Sequence, residues 1–246
     1  MMESNKFSNT DAFGRWRGET ISITSKEDEK RLASYMTKVY GWMFLGLAIT
    51  AVVAFLTASS PQVMTYLITH RMLFLGLFLG ELFLVGYLVV RVHKLSAATA
   101  TLLFLTYAAV NGIVFSLLLL AYTGSSIAST FAITAGTFGV MSAVGYFTKQ
   151  DLTSFGKIMF MGLIGIIIAS VVNIFLHSTA LYWLISYVGV AVFVGLIAYD
   201  TQKIKAYAMI EDAEMRKKGA IMGALALYLD FVNLFIMLLR LFGSRN

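Results

Sequence analysis

The stretch LALYLDFVNLFIMLL, residues 225–239, contains a single carboxylic acid, Asp230, within an otherwise apolar run. An apolar run of about 20 residues is long enough to cross a bilayer as a helix. A charge at the centre of such a helix costs roughly 2.5–3.5 kcal/mol on insertion scales, so an acid at this position indicates a functional site. The stretch therefore predicts a spanning helix in which Asp230 has a partner elsewhere in the protein.

The composition of the whole chain places it among membrane proteins. Hydrophobic residues make up 59% of its 246 residues and charged residues 13%, which is outside the range of soluble domains. A single proline and the lack of alternating ten-residue segments favour helices over an outer-membrane barrel. We predict an all-α integral membrane protein of seven transmembrane helices in residues 32–246, after a polar, mobile cytosolic tail in residues 1–31. The apolar stretches are 38–58, 72–90, 97–121, 127–147, 157–177, 180–210 and 219–243.

The basic residues predict the orientation of these spans. Cytoplasmic segments carry the excess of Lys and Arg, and sixteen of the 19 basic residues fall in the tail and in the connections on its side of the membrane. The remaining three are Arg71, Arg240 and Arg245. We therefore expect a cytoplasmic N-terminus and, after seven spans, a C-terminus outside. Because the basic residues lie at the ends of apolar runs and not on one patch, we expect no nucleic acid partner.

The hairpin of the sixth and seventh spans supplies a partner for Asp230. Asp200 lies 15 residues before Met215, in the charged turn, and Asp230 lies 15 residues after it. In two antiparallel helices this symmetry predicts that the two carboxyl groups lie at the same depth. Two other interpretations remain open: Asp200 as a helix-end carboxylate in contact with Lys203 or water, and Asp230 as a packing residue. In the second case its hydrogen-bond partner would be Asn111, Asn173 or Asn233.

The seventh span has one narrow stripe of small and polar residues, which is typical of a face that packs against another helix. The stripe consists of Gly219, Gly223, Ala226, Asp230, Asn233 and Met237. Asp230 is therefore expected to face protein.

Three motifs resemble the transmembrane Bax inhibitor motif family, in particular its bacterial calcium-leak members. They are YDTQKI (199–204), ALYLDFVNLFIMLLRLFG (226–243) and GTFGVMSAVGYFTKQDLTSFG (136–156). The resemblance implies a seven-helix channel whose last helix packs centrally and whose aspartate pair, here Asp200 and Asp230, senses pH and gates a Ca²⁺ leak. It also implies an arginine latch at the end of the second span, for which Arg91 is the candidate; a family spacing one residue longer would place the latch at Val92, where this chain has no arginine. Glu81, in the same span, is implied to lie along the pore.

The chemistry of two adjacent carboxyl groups suits such a gate. They cannot both ionise cheaply, so they share one proton, and the shared proton holds the two helices together. With both groups ionised they repel and become an oxygen-rich site for a hard cation such as Ca²⁺. An arginine latch would reverse the dependence on pH that the shared proton alone implies, so the sequence leaves the opening pH undecided.

Other functions are weighed against the channel. An intramembrane aspartyl protease would need a Gly-x-Gly-Asp motif, and LYL precedes Asp230. A retinal protein would need a lysine deep in the last span, which 219–243 lacks. The chain has no cysteine, which excludes thiol catalysis, and no nucleotide-binding motif. We therefore expect no enzyme and no cofactor, with Ca²⁺ and H⁺ as ions in an inner membrane. The rival function is a scaffold that binds and modulates another membrane protein.

Overall fold

The computed structural model describes residues 25–246, without the side chains of Arg71 and His93. The predicted tail lies mostly outside the described residues. The described part is helical, with a 3₁₀ turn at Val92–Lys94. Its helices are α1 (Lys26–Ala58), α2 (Pro61–Thr69), α3 (Arg71–Arg91), α4 (Ala97–Ala121), α5 (Gly124–Phe147), α6 (Thr153–Leu176), α7 (Thr179–Tyr207) and α8 (Ala213–Phe242).

Seven of these helices are long and apolar enough to cross a membrane, namely all of them except α2. The all-α membrane fold of seven spans is therefore confirmed. The short α2 begins with Pro61 in its first turn, where the missing N–H of proline costs nothing. Its nine residues are too few for a span, and they lie between the apolar stretches 38–58 and 72–90, where no helix was predicted.

Side-chain caps fix where most of the spans begin. Ser96, Thr123, Ser178 and Asp212 each accept a hydrogen bond from a backbone N–H of the first turn of α4, α5, α7 and α8. Such a bond satisfies one of the N–H groups that have no partner inside the helix. Ser25 caps α1 in the same way, so α1 starts at Lys26, inside the segment 1–31 that the sequence assigned to the tail.

The last helix lies at the centre of the bundle. In α8, 72% of the most apolar window is buried, against 6–44% for the other six spans. It packs on α1, α4, α5 and α7. By contrast, α3 packs chiefly on α4 and α6 on α7, and both peripheral helices expose large apolar side chains as a lipid-facing helix does.

The two ends of the bundle are defined by the chain itself. The N-terminal end holds the start of α1 and the α7–α8 turn, joined where Arg31 donates to the Ile210 carbonyl at 2.7 Å. The C-terminal end holds the α4–α5 connection and the last residues, joined where the Asn246 N–H donates to the Ala121 carbonyl at 3.1 Å. Successive spans run in alternating directions between these two ends.

Candidate functional site

Glycines allow α7 and α8 to pack closely along the predicted stripe. A Cβ placed on Gly219 would lie 3.2 Å from Cβ of Tyr207, and one on Gly223 would lie 3.0 Å from the Ile204 side chain. Near the other end of the pair, Met237 fills the space that a side chain on Gly189 would need. The small-residue stripe of α8 is therefore a face that packs against another helix, as the sequence predicted, and the structure identifies that helix as α7.

These contacts also correct the predicted register of the hairpin. Gly219 lies opposite Tyr207 and Gly223 opposite Ile204, so the residue of α8 opposite Asp200 is close to position 226. Asp230 is displaced from Asp200 by about one turn, or roughly 6 Å along the axis at 1.5 Å per residue. The prediction of equal depth is therefore wrong by a turn, because the tight Ala208–Asp212 connection is not centred on Met215.

The two carboxyl groups are nevertheless in contact. A Cα–Cβ bond tilts toward the N-terminus of its own helix, and in antiparallel α7 and α8 these tilts bring the two side chains toward each other. Asp230 is 5% exposed, and its Oδ2 atom accepts no hydrogen bond from the described residues. A buried carboxyl oxygen that faces another carboxyl group requires a shared proton for a hydrogen bond to form.

The residues after Asp200 anchor it to the connection between α5 and α6. The Gln202 side chain accepts a hydrogen bond from the Leu152 N–H at 2.9 Å and donates one to the Gln150 carbonyl at 2.7 Å. The Thr201 hydroxyl bonds to Ser142 of α5 at 3.0 Å. Ser142 in turn bonds to Tyr40 of α1 at 2.6 Å, so the two residues that follow Asp200 tie α7 to α5, to the α5–α6 connection and, through Ser142, to α1.

Two glycines allow the neighbouring helices to approach Asp200. A Cβ on Gly145 of α5 would overlap the backbone carbonyl of Ala198, and one on Gly156 of α6 would overlap the ring of Tyr199. The backbone just before Asp200 is therefore enclosed by α5 and α6. A larger residue at Gly145 would therefore press on the backbone of α7, and one at Gly156 would displace the Tyr199 ring.

No basic side chain that the structure describes forms an ion pair with Asp200 or Asp230. Lys203, one turn after Asp200, is close enough for its charge to act on that carboxyl. Lys205 instead donates to the Tyr146 carbonyl. Within residues 25–246 the latch candidate Arg91 is exposed and has no hydrogen bond or ion pair, so this structure does not bring it to the aspartates. Its neighbour Val92 is 2% exposed, in the 3₁₀ turn that packs on α8.

Glu81 lies in a second polar cluster, away from the aspartate pair. It is 7% exposed at the middle of α3, and the Tyr107 hydroxyl of α4 is near enough to act on its carboxyl. The Tyr107 ring meets the ring of Tyr228 edge-on, with centroids 5.9 Å apart. The structure therefore does not join Glu81 to Asp200 and Asp230.

Tyr228 forms the centre of a hydrogen-bonded cluster that the sequence did not predict. Its hydroxyl lies 2.7 Å from Thr50 Oγ1 of α1 and accepts from Asn111 Nδ2 of α4 at 2.7 Å. Since Thr50 donates its own proton to the Ala108 carbonyl at 2.8 Å, Tyr228 is the donor to Thr50. The sequence does contain a signal for this cluster, because three apolar helices each carry a polar residue at mid-span, namely Thr50, Asn111 and Tyr228.

The three asparagines considered as partners of Asp230 are all engaged elsewhere. Asn111 bonds to Tyr228, Asn173 accepts from the Ser178 N–H, and Asn233 donates to the Leu229 carbonyl of its own helix. The group that faces Asp230 is therefore the carboxyl of Asp200 and not an amide.

Comparison with known proteins assigns the chain to a family. The family model described as "Inhibitor of apoptosis-promoting Bax1" matches residues 32–246. The chain belongs to the Bax inhibitor family. It is similar to "Inner membrane protein YbhL" of Escherichia coli (strain K12), with 52% identity over 218 residues that cover 87% of this chain and 93% of that protein. A protein of Rickettsia prowazekii is 43% identical over 235 residues, or 93% and 98% of the two chains. One of Deinococcus radiodurans is 41% identical over 229 residues, with the same two shares.

In this Bax inhibitor family member the three motifs that carry the resemblance meet at one place. Residues 136–156 supply Ser142, Gly145 and Gly156, which enclose the YDTQKI segment, and that segment presents Asp200 to Asp230 of the third motif. Within the described residues there is no group of three or more His, Cys, Asp or Glu side chains that could hold a metal ion. The site can therefore share a proton between two carboxyl groups, and any cation there would depend on further ligands.

Proposed function

We propose that this protein is a pH-sensitive Ca²⁺ leak channel of the inner membrane, gated by Asp200 and Asp230. The observation that carries the proposal is the contact between these two carboxyl groups inside a span, where no donor from the described part of the chain reaches the Asp230 Oδ2 atom. Ionisable groups inside spans mark ion pathways and proton relays. The similarity to an inner membrane protein supports the location, and the distribution of Lys and Arg supports a cytoplasmic N-terminus.

The gate operates through one proton. With the proton shared, the pair bonds α7 to α8; without it, two negative charges face each other in a medium of low dielectric constant and repel. Loss of the proton therefore favours separation of the two helices, a two-state change with a local electrostatic cause. Because Arg91 is not in contact with the pair, we expect flux to rise with pH over the range in which the pair loses its proton.

The oxygen ligands of the aspartate pair indicate which ion the channel transports. Carboxylates suit Ca²⁺ better than they suit softer metals, and Ca²⁺ takes 6–8 oxygen ligands. Two carboxylates supply only part of that number, so water completes the shell and the ion binds briefly. Brief binding is what passage requires, because an ion held by a full set of protein ligands leaves slowly.

Two further residues have proposed roles in this channel. Glu81 contributes a carboxylate to the cation pathway, because it is a buried acid at mid-span. Arg91 is proposed to reach the pair only after a movement at the end of α3, since in this structure it is exposed. Loss of Arg91 is then expected to change the populations of the states more than the preference for cations.

The test is Ca²⁺ flux into liposomes that contain the purified protein, measured between pH 5 and 8. The unaltered protein is expected to pass Ca²⁺ at a rate that depends on pH. Asp200→Asn and Asp230→Asn each remove one titratable group and keep the shape of the side chain, so each is expected to flatten the profile. Glu211→Gln is the matched control, because Glu211 is an exposed acid of the nearby turn and its loss should leave the profile intact.

Flux equal to that of empty liposomes at every pH would reject the channel. The same conclusion follows if both asparagine variants retain the full pH profile. The protein would then act as a scaffold that restrains another membrane protein, a role that needs no titratable pair.

A further inference from the structure

The C-terminal end of the bundle carries positive charge that no acidic side chain of residues 25–246 balances. Every Asp and Glu in this range lies within a span or at the N-terminal end of the bundle. Three basic residues lie at the C-terminal end, namely Arg71, Arg240 and Arg245, and the last two line one cavity. Two cations at one cavity repel each other, so the arrangement indicates a ligand of negative charge.

This cavity is open and lies between the start of α7 and the residues that end α8. Its volume is about 540 Å³, within the range of about 300–1,000 Å³ that is usual for small-molecule sites. One wall is the α6–α7 connection, where His177 has a left-handed backbone (φ 48°) and the Asn173 side chain accepts from the Ser178 N–H at 2.9 Å. The other wall carries Arg240 and Arg245. The cavity is therefore large enough for a phosphate group and part of a larger molecule attached to it.

Aromatic rings position the two guanidinium groups. Cζ of Arg240 lies 5.4 Å from the centre of the Tyr182 ring, and Cζ of Arg245 lies 5.9 Å from the centre of the Tyr122 ring. Both distances are within the range of cation–π contacts, which extends to about 6 Å. Arg245 also donates from Nη2 to the Tyr182 hydroxyl at 3.3 Å. Tyr182 therefore contacts both cations and brings them to the same part of the cavity.

Most N–H groups of these arginines are left for a ligand. A guanidinium group has five N–H donors in a planar fork. In the described part of the chain neither arginine forms an ion pair, Arg240 donates no hydrogen bond, and Arg245 donates only to tyrosine hydroxyl groups. Two such forks match the oxygens of a phosphate group, which accepts paired hydrogen bonds and brings negative charge.

The backbone that carries Arg245 is held at the cavity. The residues after α8 pair with the α4–α5 connection, where the Thr123 N–H donates to the Ser244 carbonyl at 3.0 Å. Arg245 lies opposite Tyr122 in this pairing. Because the arginine is in place before a ligand binds, less conformational entropy is lost on binding.

Aromatic side chains beside the cavity indicate its depth in the membrane. Trp183 lines the cavity and is 40% exposed, and Tyr187, one turn further along α7, is 63% exposed. Their ring centres lie 6.4 Å apart. Exposed Trp and Tyr side chains at the end of a span are typical of the level of the lipid headgroups. The cavity can therefore receive a phosphate group from a lipid headgroup or from solution.

We propose that this cavity binds a phosphate group between Arg240 and Arg245, supplied by an anionic lipid headgroup or by free inorganic phosphate. The two guanidinium groups donate to the phosphate oxygens while they remain stacked on Tyr182 and Tyr122. The bound group ties the start of α7 to the end of α8. The site shares no residue with the proposed gate, and its test does not depend on Ca²⁺ flux.

Thermal unfolding of the purified full chain in neutral detergent micelles tests the proposal, because a ligand that binds the folded state raises the unfolding midpoint. The lipid probe is short-chain phosphatidylglycerol, with short-chain phosphatidylcholine as its reference. The soluble probe is inorganic phosphate, with chloride at equal ionic strength as its reference. A higher midpoint with phosphatidylglycerol than with its reference identifies the headgroup as the source, and a higher midpoint with phosphate than with chloride identifies the solution.

Two arginine variants show whether the gain in midpoint comes from this cavity. Arg240→Gln and Arg245→Gln are each expected to weaken the apparent affinity for the effective probe by about tenfold or more, because hydrogen bonds to charged groups are lost. Lys149→Gln is the matched control, since Lys149 is an exposed cation at the opposite end of the bundle. Its affinity for the probe should equal that of the unaltered chain.

The proposal is overturned if neither phosphatidylglycerol nor phosphate raises the midpoint above its reference, or if both glutamine variants retain the full affinity. If a glutamine variant fails to fold, Arg240→Lys and Arg245→Lys keep the charge but lose the paired donors and the stacking on tyrosine. Weaker binding by these lysine variants then supports the site, and unchanged binding rejects it. A protein that passes no Ca²⁺ but keeps the arginine-dependent gain would reject the channel and retain the phosphate site, so the two failures can be told apart.

Discussion

At the scale of single residues, Tyr228 and Asp230 show two opposite uses of a polar group within a membrane. They lie two positions apart on α8, so at about 100° per residue they face nearly opposite sides. The Tyr228 hydroxyl has both its donor and its acceptor partners, whereas one oxygen of Asp230 receives no hydrogen bond from residues 25–246 as the structure describes them. A fully satisfied network makes a rigid contact, and a partly satisfied one depends on a proton or an ion.

Gly145 offers a test of how closely the site is held. Gly145→Ala would place a methyl group against the Ala198 carbonyl, and overpacking of this kind costs about 1–3 kcal/mol. We expect a lower thermal unfolding temperature in lipid nanodiscs, and a shifted pH profile of Ca²⁺ flux because Ala198 lies two residues before Asp200. Gly139→Ala is the control on the same helix, since a Cβ there would meet nothing within 4 Å and the loss of backbone freedom is mildly stabilising. Equal stability of the two variants would show that α5 and α7 are not in close contact.

At the scale of elements, the α7–α8 hairpin determines how the two acids meet. Its register is set by Gly219 and Gly223, which admit Tyr207 and Ile204, and not by the symmetry of the connecting turn. Each side chain tilts toward the N-terminus of its own helix. Asp200 therefore tilts away from the α7–α8 turn and Asp230 tilts toward it, and the two tilts together bridge the one-turn offset. If the acid of α8 were instead one turn closer to the α7–α8 turn than the acid of α7, the same tilts would move the two carboxyl groups apart.

The register predicts which cysteine pair can form a disulfide. The chain has no cysteine of its own, so the double variant Tyr207→Cys/Gly219→Cys gives a signal without background. A Cβ on Gly219 would be 3.2 Å from Cβ of Tyr207, close to the distance of about 3.5–4.5 Å that a disulfide needs. We expect cross-linking under mild oxidation, scored by electrophoretic mobility. The pair Tyr207→Cys/Gly223→Cys, one turn away, should stay reduced, and preferential cross-linking of that pair would favour the symmetric hairpin.

Some features of these elements could be predicted from the sequence and others could not. Hydropathy sets the spans because each must supply about 20 apolar residues, and a hairpin with acids on both arms brings Asp200 near Asp230. Arg91 points outward and Val92 inward because of the rotation of α3 about its axis. Packing against neighbouring helices sets that rotation, and the hydropathy pattern does not reveal it. The approach of Glu81 to Tyr107 involves residues of two helices whose apolar faces give no register, so no spacing predicts it.

At the scale of the whole molecule, the bundle has a core of one helix and an incomplete outer layer. The helices α1, α4, α5 and α7 pack on α8, whereas α3 packs chiefly on α4 and α6 chiefly on α7. Peripheral helices with apolar outer faces gain little from the hydrophobic effect within lipid, so packing and polar contacts hold them. Movement of α3 is therefore less costly than movement of α8.

The orientation of the bundle is predicted from its Lys and Arg residues and can be measured with single cysteines. Glu211→Cys lies in the α7–α8 turn at the N-terminal end, and Ser125→Cys lies near the α4–α5 connection at the C-terminal end; both positions are exposed. In intact cells, a thiol reagent that cannot cross the membrane should label Ser125→Cys and should reach Glu211→Cys only after permeabilisation. The reverse pattern would invert the predicted topology.

The central position of α8 has a consequence for biosynthesis. The helix that fills the middle of the bundle follows the six other spans in the chain, so it leaves the ribosome after them, and the residues behind it bond to the α4–α5 connection, as in the Asn246 to Ala121 hydrogen bond. The six earlier spans are therefore expected to enter the bilayer around an unfilled centre and to complete their packing only when α8 arrives. A chain that is truncated before α8 would present those surfaces to lipid and to quality-control proteases.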